Sequence, residues 1–217
     1  MIKPLKYVVF TGISLLLITV VLLLKPSTPF SKDKEILYLP TGKTSRVYLD
    51  SLVRTQQWLN TFWLYTWWAN QQHLGQFLRP GKYEIPKGSS IFSFVWRLKK
   101  NRQVPVKLVI PKIRTLEQLA GFLGKHLEND SAQFLHFLKE VDSLKVFAVD
   151  TSSVLTGIFP DTYEFYWTAN SRQVFEKLFR EKKKFWTPER LGEASRQQLT
   201  PDEVYILASI IEEETNA

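Results

Sequence analysis

The 217-residue sequence contains no cysteine and only three histidines. Without thiols there is no disulfide framework, no cysteine nucleophile and no zinc site built on thiolate. The absence does not fix the compartment. His126 and His136 stand ten residues apart, which is not a common same-face ligand spacing, and no third imidazole lies near them in sequence. They read as surface or packing residues, so neither a metal nor a cofactor is expected. Apolar and aromatic residues, by contrast, are plentiful at 44% and 14%, which excludes intrinsic disorder and low-complexity or collagen-like chains. With a membrane segment subtracted, the length allows one ordinary domain or two small ones with real cores.

The net charge of +8 is concentrated in two stretches. Arg97, Lys99, Lys100, Arg102 and Lys107 form a run without an acid, and between Arg172 and Arg190 seven basic residues face Glu176, Glu181 and Glu189. Solvated helix faces are the ordinary reading of such runs. Attraction to an anionic polymer or to anionic headgroups is the sharper one. A nucleic-acid binder would use the same stretches with aromatic stacking, but an exported location argues against nucleic acid as a partner.

Tyr7 to Leu24 is an uncharged apolar run of 18 residues between Lys3 and Lys6 on one side and Lys25-Pro26 on the other. At about 1.5 Å per residue it spans roughly 27 Å, enough to cross a hydrocarbon core. No small-residue cleavage site follows, so an uncleaved anchor is expected rather than a signal peptide. The flanking lysines are too evenly split to orient it. The sequence thus divides into a tail (1–6), a transmembrane helix (7–24), a linker (25–35), a small module (36–106) and a second domain (107–217).

In the module, strands are expected at Glu35–Pro40, Gly81–Pro86 and Val104–Pro111. Thr44 or Ser45 would cap a helix through Val47, Leu52 and Val53, and Ser89 a helix through Ile91, Phe92, Val95, Trp96 and Leu98. Four of the seven tryptophans lie between Trp58 and Trp68; packing between helices explains such density more readily than a carbohydrate-stacking platform. Beyond Pro111 the pattern turns helical. Thr115 with Gln118 and Asp130 with Gln133 have capping-box spacing, and Asn170-Ser171 leads into a basic helix reaching Lys184. Leu155 to Tyr166 carries a Gly, a Pro-Asp turn and alternation suited to an extended arm. The fold class is α+β.

Thr200-Pro201-Asp202-Glu203 is a strong helix start. Val204, Leu207, Ala208 and Ile211 fall at i, i+3, i+4 and i+7 and predict a buried stripe. At 100° per residue Glu213 points away from it, Glu214 falls inside the apolar arc and Glu212 sits at its border. A carboxyl at such a border would be half desolvated and able to hold a proton, as a general acid must. The pattern does not choose between Glu212 and Glu214.

Gly81-Lys-Tyr-Glu-Ile-Pro with Gly88-Ser-Ser, then Leu155-Thr-Gly-Ile-Phe-Pro-Asp-Thr-Tyr, then Leu207-Ala-Ser-Ile-Ile-Glu-Glu-Glu-Thr215, in this order, resemble the MltG (YceG-like) endolytic murein transglycosylases. The resemblance implies an inner-membrane single-pass protein with its N-terminus inside, a LysM-like module and a mainly helical α+β catalytic domain facing the periplasm or cell exterior. It implies Glu212 as the catalytic residue, cleaving the β-1,4 bond between N-acetylmuramic acid and N-acetylglucosamine to leave 1,6-anhydro ends. Asp161 and Tyr163, in the Pro-Asp-Thr-Tyr segment, are cleft candidates, although a turn Asp and a packed Tyr are the more ordinary roles. Peptidoglycan glycan strands, the membrane and peptidoglycan synthases are the implied partners. The family's Asn-Arg-Leu and Gln-x-Asp-Pro-Thr segments do not occur here, so the catalytic domain is expected to be incomplete. A non-catalytic wall-binding or scaffolding protein is the alternative.

Overall fold

The computed structural model describes residues 3–147, 149, 151 and 153–215. Met1 and Ile2 of the expected tail, and Ala217, lie outside them. The protein is α+β, and the chain divides into two compact units, Met1–Val104 and Pro105–Ala217.

The first unit begins with helix α1 (Lys3–Leu24). Its Tyr7–Leu24 window has a mean hydropathy of 2.6 and is long and apolar enough to cross a membrane. Strand β1 (Lys34–Leu39) then pairs antiparallel with β2 (Gly81–Pro86), with Leu37 opposite Tyr83 and Leu39 opposite Gly81. Between them lie α2 (Arg46–Thr55), α3 (Phe62–Gln71) and the short α4 (Leu74–Phe77); α5 (Ile91–Lys99) follows β2. Ser45 caps α2, its hydroxyl accepting the Tyr48 N–H at 3.1 Å. The buried face of α2 is Leu49 and Val53, and Val47 points to solvent. Ser90 rather than Ser89 caps α5, accepting from the Ser93 N–H. The Ser89 hydroxyl instead donates back to the Pro86 carbonyl at 2.7 Å.

Alternate residues of β1 and β2 (Leu37, Leu39, Tyr83, Ile85) meet Leu49, Val53, Leu64, Tyr65, Ile91, Phe94 and Leu98 from the helices in one core. The aromatic segment splits between two environments. Trp58 is buried, edge-on to Phe30 at 5.2 Å and to Phe94 at 6.5 Å, whereas Trp63 and Trp67 are exposed. Within the core, the Tyr65 hydroxyl donates to Asp50 Oδ1 at 2.8 Å, which also accepts Arg46 Nε at 2.6 Å. Burial, and then the Asp50 charge, raise the Tyr65 phenol above its ordinary value.

The second unit holds β3 (Val106–Val109), α6 (Leu116–His126), α7 (Ser131–Lys139), α8 (Val141–Lys145), a 3-10 turn (Val154–Gly157), β4 (Thr162–Phe165), α9 (Ser171–Phe185), α10 (Pro188–Arg196) and α11 (Pro201–Thr215). Strand β3 pairs with β4, not with the first sheet: Val106 opposes Phe165 and Leu108 opposes Tyr163. It therefore completes the second unit rather than the small module. Asp130 and Asn170 form full capping boxes with Gln133 and Gln173. Thr115 makes only half of one, because the Gln118 amide oxygen accepts from the Arg114 N–H instead. Helix α6 buries Leu119, Ala120 and Leu123, and α7 buries Phe134 and Leu138, against Val174, Phe175 and Leu178 of α9. Gly124 lets α6 and α7 approach closely; a Cβ there would lie 2.4 Å from the Ser131 nitrogen. His126 Nδ1 sits 2.8 Å from the Phe122 carbonyl oxygen, and its ring lies against Phe122. Among the described residues no cluster of three or more His, Asp or Glu side chains could hold a metal ion.

Candidate active site

The start of α11 is fixed by reciprocal bonds. The Glu203 N–H donates to Thr200 Oγ1 at 3.3 Å, and the Thr200 N–H and hydroxyl both donate to Glu203 Oε2 at 2.8 Å. These bonds hold the Glu203 carboxyl below its ordinary value. One residue earlier, Asp202 Oδ1 accepts the Thr156 hydroxyl and Lys182 Nζ, each at 2.6 Å, tying α11 to the 3-10 turn and to α9. Further along, the Tyr205 hydroxyl donates to the Ile158 carbonyl at 3.0 Å, and its ring packs on Phe159 at 5.6 Å.

These contacts set one side of α11 along a groove of about 660 Å³, lined by Phe159, Pro160, Phe185 and Trp186, by Lys112 and Arg114 from the segment after β3, and by Tyr205, Ala208, Ser209, Glu212 and Glu213 of the helix itself. Phe159 and Phe185 lie 4.9 Å apart in its wall. The groove is apolar along most of its length and charged at one end.

At that end Lys112 Nζ stands 3.3 Å from Glu212 Oε2 and also contacts Glu213 Oε1. Arg114 grips both oxygens of Glu213, at 2.8 and 2.7 Å. The hydrogen bond from Lys112, followed by that from Arg114, holds the Glu213 carboxyl below its ordinary value, and the same bond to Glu213 raises Lys112. Burial lifts the Tyr205 phenol above its ordinary value, and the negative charge of Glu212 adds to the effect.

Two expectations are corrected here. The apolar stripe on α11 is not buried: Leu207 and Ile211 remain 45% and 54% exposed, and no residue of the helix is fully covered. Periodicity identifies a face that can be buried, whereas the anchoring contacts come from Tyr205 and Asp202, a different side of the helix. Glu212 accordingly does not sit at a desolvated border; its side chain is 56% exposed. Glu213 points away from that stripe, as expected, and this places it in the groove beside Glu212, where Lys112 and Arg114 hold it. Glu214 is exposed and does not line the groove.

Asp161 and Tyr163 belong elsewhere. Asp161 Oδ1 accepts the Thr162 N–H at 2.6 Å, and its carbonyl accepts the Ile110 N–H at 2.9 Å. Tyr163 is buried, with its phenol pushed up to about 12, chiefly by that burial. Its hydroxyl donates to the Phe159 carbonyl at 3.0 Å, so it supports the groove wall from behind. Both residues line a separate depression with Lys107, Glu164, Lys177 and Glu181.

Comparison with known proteins gives the family of the chain. The sequence matches the YceG-like family over residues 37–217, most of its length. The chain belongs to the YceG-like family. Among solved structures it is similar to a yceG-like protein from Listeria monocytogenes, at 21% identity and a TM-score of 0.41, over 79% of this chain and 61% of that one. It thus spans less than two thirds of that YceG-like relative. No curated protein matches the chain.

Four residues that shape the YceG-like groove escaped sequence reasoning: Lys112, Arg114, Thr156 and Lys182. Thr156 stands inside the Leu155–Tyr166 segment, which composition had singled out. Lys112 and Arg114 lie about a hundred residues before the glutamates they hold, since Arg114 and Glu213 are 99 positions apart, and no local pattern signals such a pairing.

Proposed function

We propose that this protein is a membrane-anchored lytic transglycosylase that cleaves the β-1,4 bond between N-acetylmuramic acid and N-acetylglucosamine in peptidoglycan, with Glu212 as its acid and base. The observation that carries the reading is the presentation of Glu212 at the charged end of an aromatic-walled groove, in a chain of the YceG-like family. Sugar rings present apolar C–H faces that pack on such walls, and Phe159 and Trp186 provide them, with Phe185 backing both.

The chemistry asks for one carboxyl. In its protonated form Glu212 donates to the departing glycosidic oxygen as the C1–O bond breaks. The carboxylate so formed takes the proton of the sugar's own C6 hydroxyl as that oxygen bonds to C1, closing the 1,6-anhydro ring without water. Glu213 is not needed for either transfer. Gripped by Arg114 and Lys112, it gives the shared cation a second anionic partner, and a glycan filling the groove shields the half-exposed Glu212 from solvent. Helix α1 provides the anchor; the second unit then works on nascent glycan outside the cytoplasmic membrane, and the first unit, two antiparallel strands with flanking helices, serves as the LysM-like module.

In the full-length protein, Glu212→Gln is expected to abolish release of anhydro-ended muropeptides, measured by mass spectrometry of digested sacculi. Undiminished product would refute the assignment. Retained binding to sacculi with no cleavage by the unsubstituted protein would favour a wall-binding scaffold, a reading to which the 56% exposure of Glu212 lends support.

A further inference from the structure

The segment leaving α1 is not a loose tether. Ser27 and Thr28 are buried; both donate their N–H to the Ser89 carbonyl, at 3.0 and 3.2 Å, and the Ser27 carbonyl accepts the Asn60 N–H at 2.9 Å. Pro26 forms a bridge with Ser90, the cap of α5. Leu23, in the last turn of α1, belongs to the core of the first unit, and α1 packs against α5. With α1 spanning a bilayer, α5 is held at the surface where the span ends.

On α5, Phe92 and Trp96 stack at 6.0 Å with their planes 13° apart, each 39% exposed. The row continues to Trp68 at 6.2 Å and on to Trp67, 43% exposed, at 6.1 Å on α3. Cations border it. Lys100 Nζ lies 4.8 Å from the Trp96 ring, and Lys99 Nζ lies 5.0 Å from the ring of Phe77. Arg97 and Arg102 extend a stretch that has no acid as far as Lys107.

Two properties decide what such a row fits. A platform for sugar needs open ring faces, but Trp96 faces Phe92 and carries the Lys100 ammonium, so its faces are engaged within the protein. A half-exposed aromatic row bordered by lysines is the composition that settles at the boundary between headgroups and acyl chains, where indole rings straddle wet and dry regions and ammonium groups reach lipid phosphates.

We propose that the row Trp67–Trp68–Phe92–Trp96, with Lys99 and Lys100, is a second membrane contact that seats the first unit on an anionic bilayer surface beside its own anchor. The inference rests on the reading of α1 as a membrane span.

Because the sequence has no cysteine, one fluorophore can be placed through Gln71→Cys. This exposed position at the end of α3 is three and four residues from Trp68 and Trp67 and therefore on their side of the helix. The full chain is reconstituted into vesicles of phosphatidylcholine alone or of equimolar phosphatidylcholine and phosphatidylglycerol, and quenching by headgroup spin-labelled lipid is read. Strong quenching is expected in the anionic vesicles. A severalfold drop is expected in phosphatidylcholine alone, in Trp67→Ala/Trp96→Ala and in Lys99→Gln/Lys100→Gln. The lipid comparison needs no substitution in the row, so it decides the matter even where a variant folds poorly. Weak quenching throughout, from a chain that resists alkaline extraction, overturns the docking surface and leaves the anchor standing. A chain released by alkali removes both. Shielding of the label by added glycan strands and not by lipid overturns the proposal in favour of a sugar platform.

Discussion

Lys182 Nζ lies 2.6 Å from Asp202 Oδ1, and the lysine side chain is only 15% exposed. With the Thr156 hydroxyl on the same oxygen, this pair joins α9, the 3-10 turn and the first turn of α11, and so sets where the glutamate-bearing helix runs. Removing either charge leaves its partner poorly solvated. Lys182→Met and Asp202→Asn are each expected to lower stability by about 1–3 kcal/mol, less than a fully buried pair because Asp202 still meets water. Thr156→Val should lower it by about 1 kcal/mol. Urea denaturation measures all three, and an unmoved midpoint for Asp202→Asn would reduce the cluster to an incidental contact.

Gly157 closes the 3-10 turn against α9. A Cβ at this position would lie 2.1 Å from Phe179 Cε1, on a ring that is 5% exposed and packed against Phe147 and Phe175. Gly157→Ala is expected to destabilise by about 1–3 kcal/mol through overpacking. Gly192, on α10 with nothing within 4 Å of a built Cβ, is the control: Gly192→Ala should stabilise by about 0.4–1 kcal/mol. Equal thermal shifts for the two would contradict the packing described.

The uncovered side of α11 makes a contrasting prediction. A buried Leu207 or Ile211 would cost about 2–5 kcal/mol on truncation. As both are about half exposed, the double substitution Leu207→Ser/Ile211→Ser in this 217-residue chain should change stability by no more than about 0.5 kcal/mol per site. A large loss in chemical denaturation would mean that the face is covered in solution.

The Glu213 clamp has a defined pH window. Its carboxyl lies below the ordinary glutamate value of 4.5, so its contribution is complete above that value and is lost as pH falls through the lower, folded one. Lys112 lies above its ordinary 10.5, so its share is complete below that value and fades as pH rises through the folded one. The clamp should be insensitive to pH near neutrality. Carboxyl NMR titration of Glu213 tests this: Arg114→Gln should move its midpoint back upward, and an ordinary midpoint in the unsubstituted chain would dismiss the clamp.

Local rules read much of this fold. Ser45, Asp130, Asn170 and Thr200 begin helices because a side-chain oxygen near an orphan N–H is a matter of three residues, and the Gly81–Pro86 strand declares itself by alternation. The same rules miss by one where two serines compete, as at Ser89 and Ser90. They fail where the deciding partner is distant. Val106–Val109 looks as though it belongs with the strands before it, yet its pairing partner lies past residue 160. The groove followed the same division: Glu212 was reachable through resemblance, whereas its cationic neighbours depended on a pairing across almost half the chain.

The buried run at Ser27 and Thr28 carries a mechanical consequence. A helix answers a thicker or thinner bilayer by changing its tilt, and a floppy stalk would absorb that change before it reached the domain. Here the stalk is bonded into the fold, so helix and domain lean together like the arm and head of a lever. Where α1 spans a bilayer, lipid composition thereby sets the angle of the first unit to the membrane plane without any ligand at all.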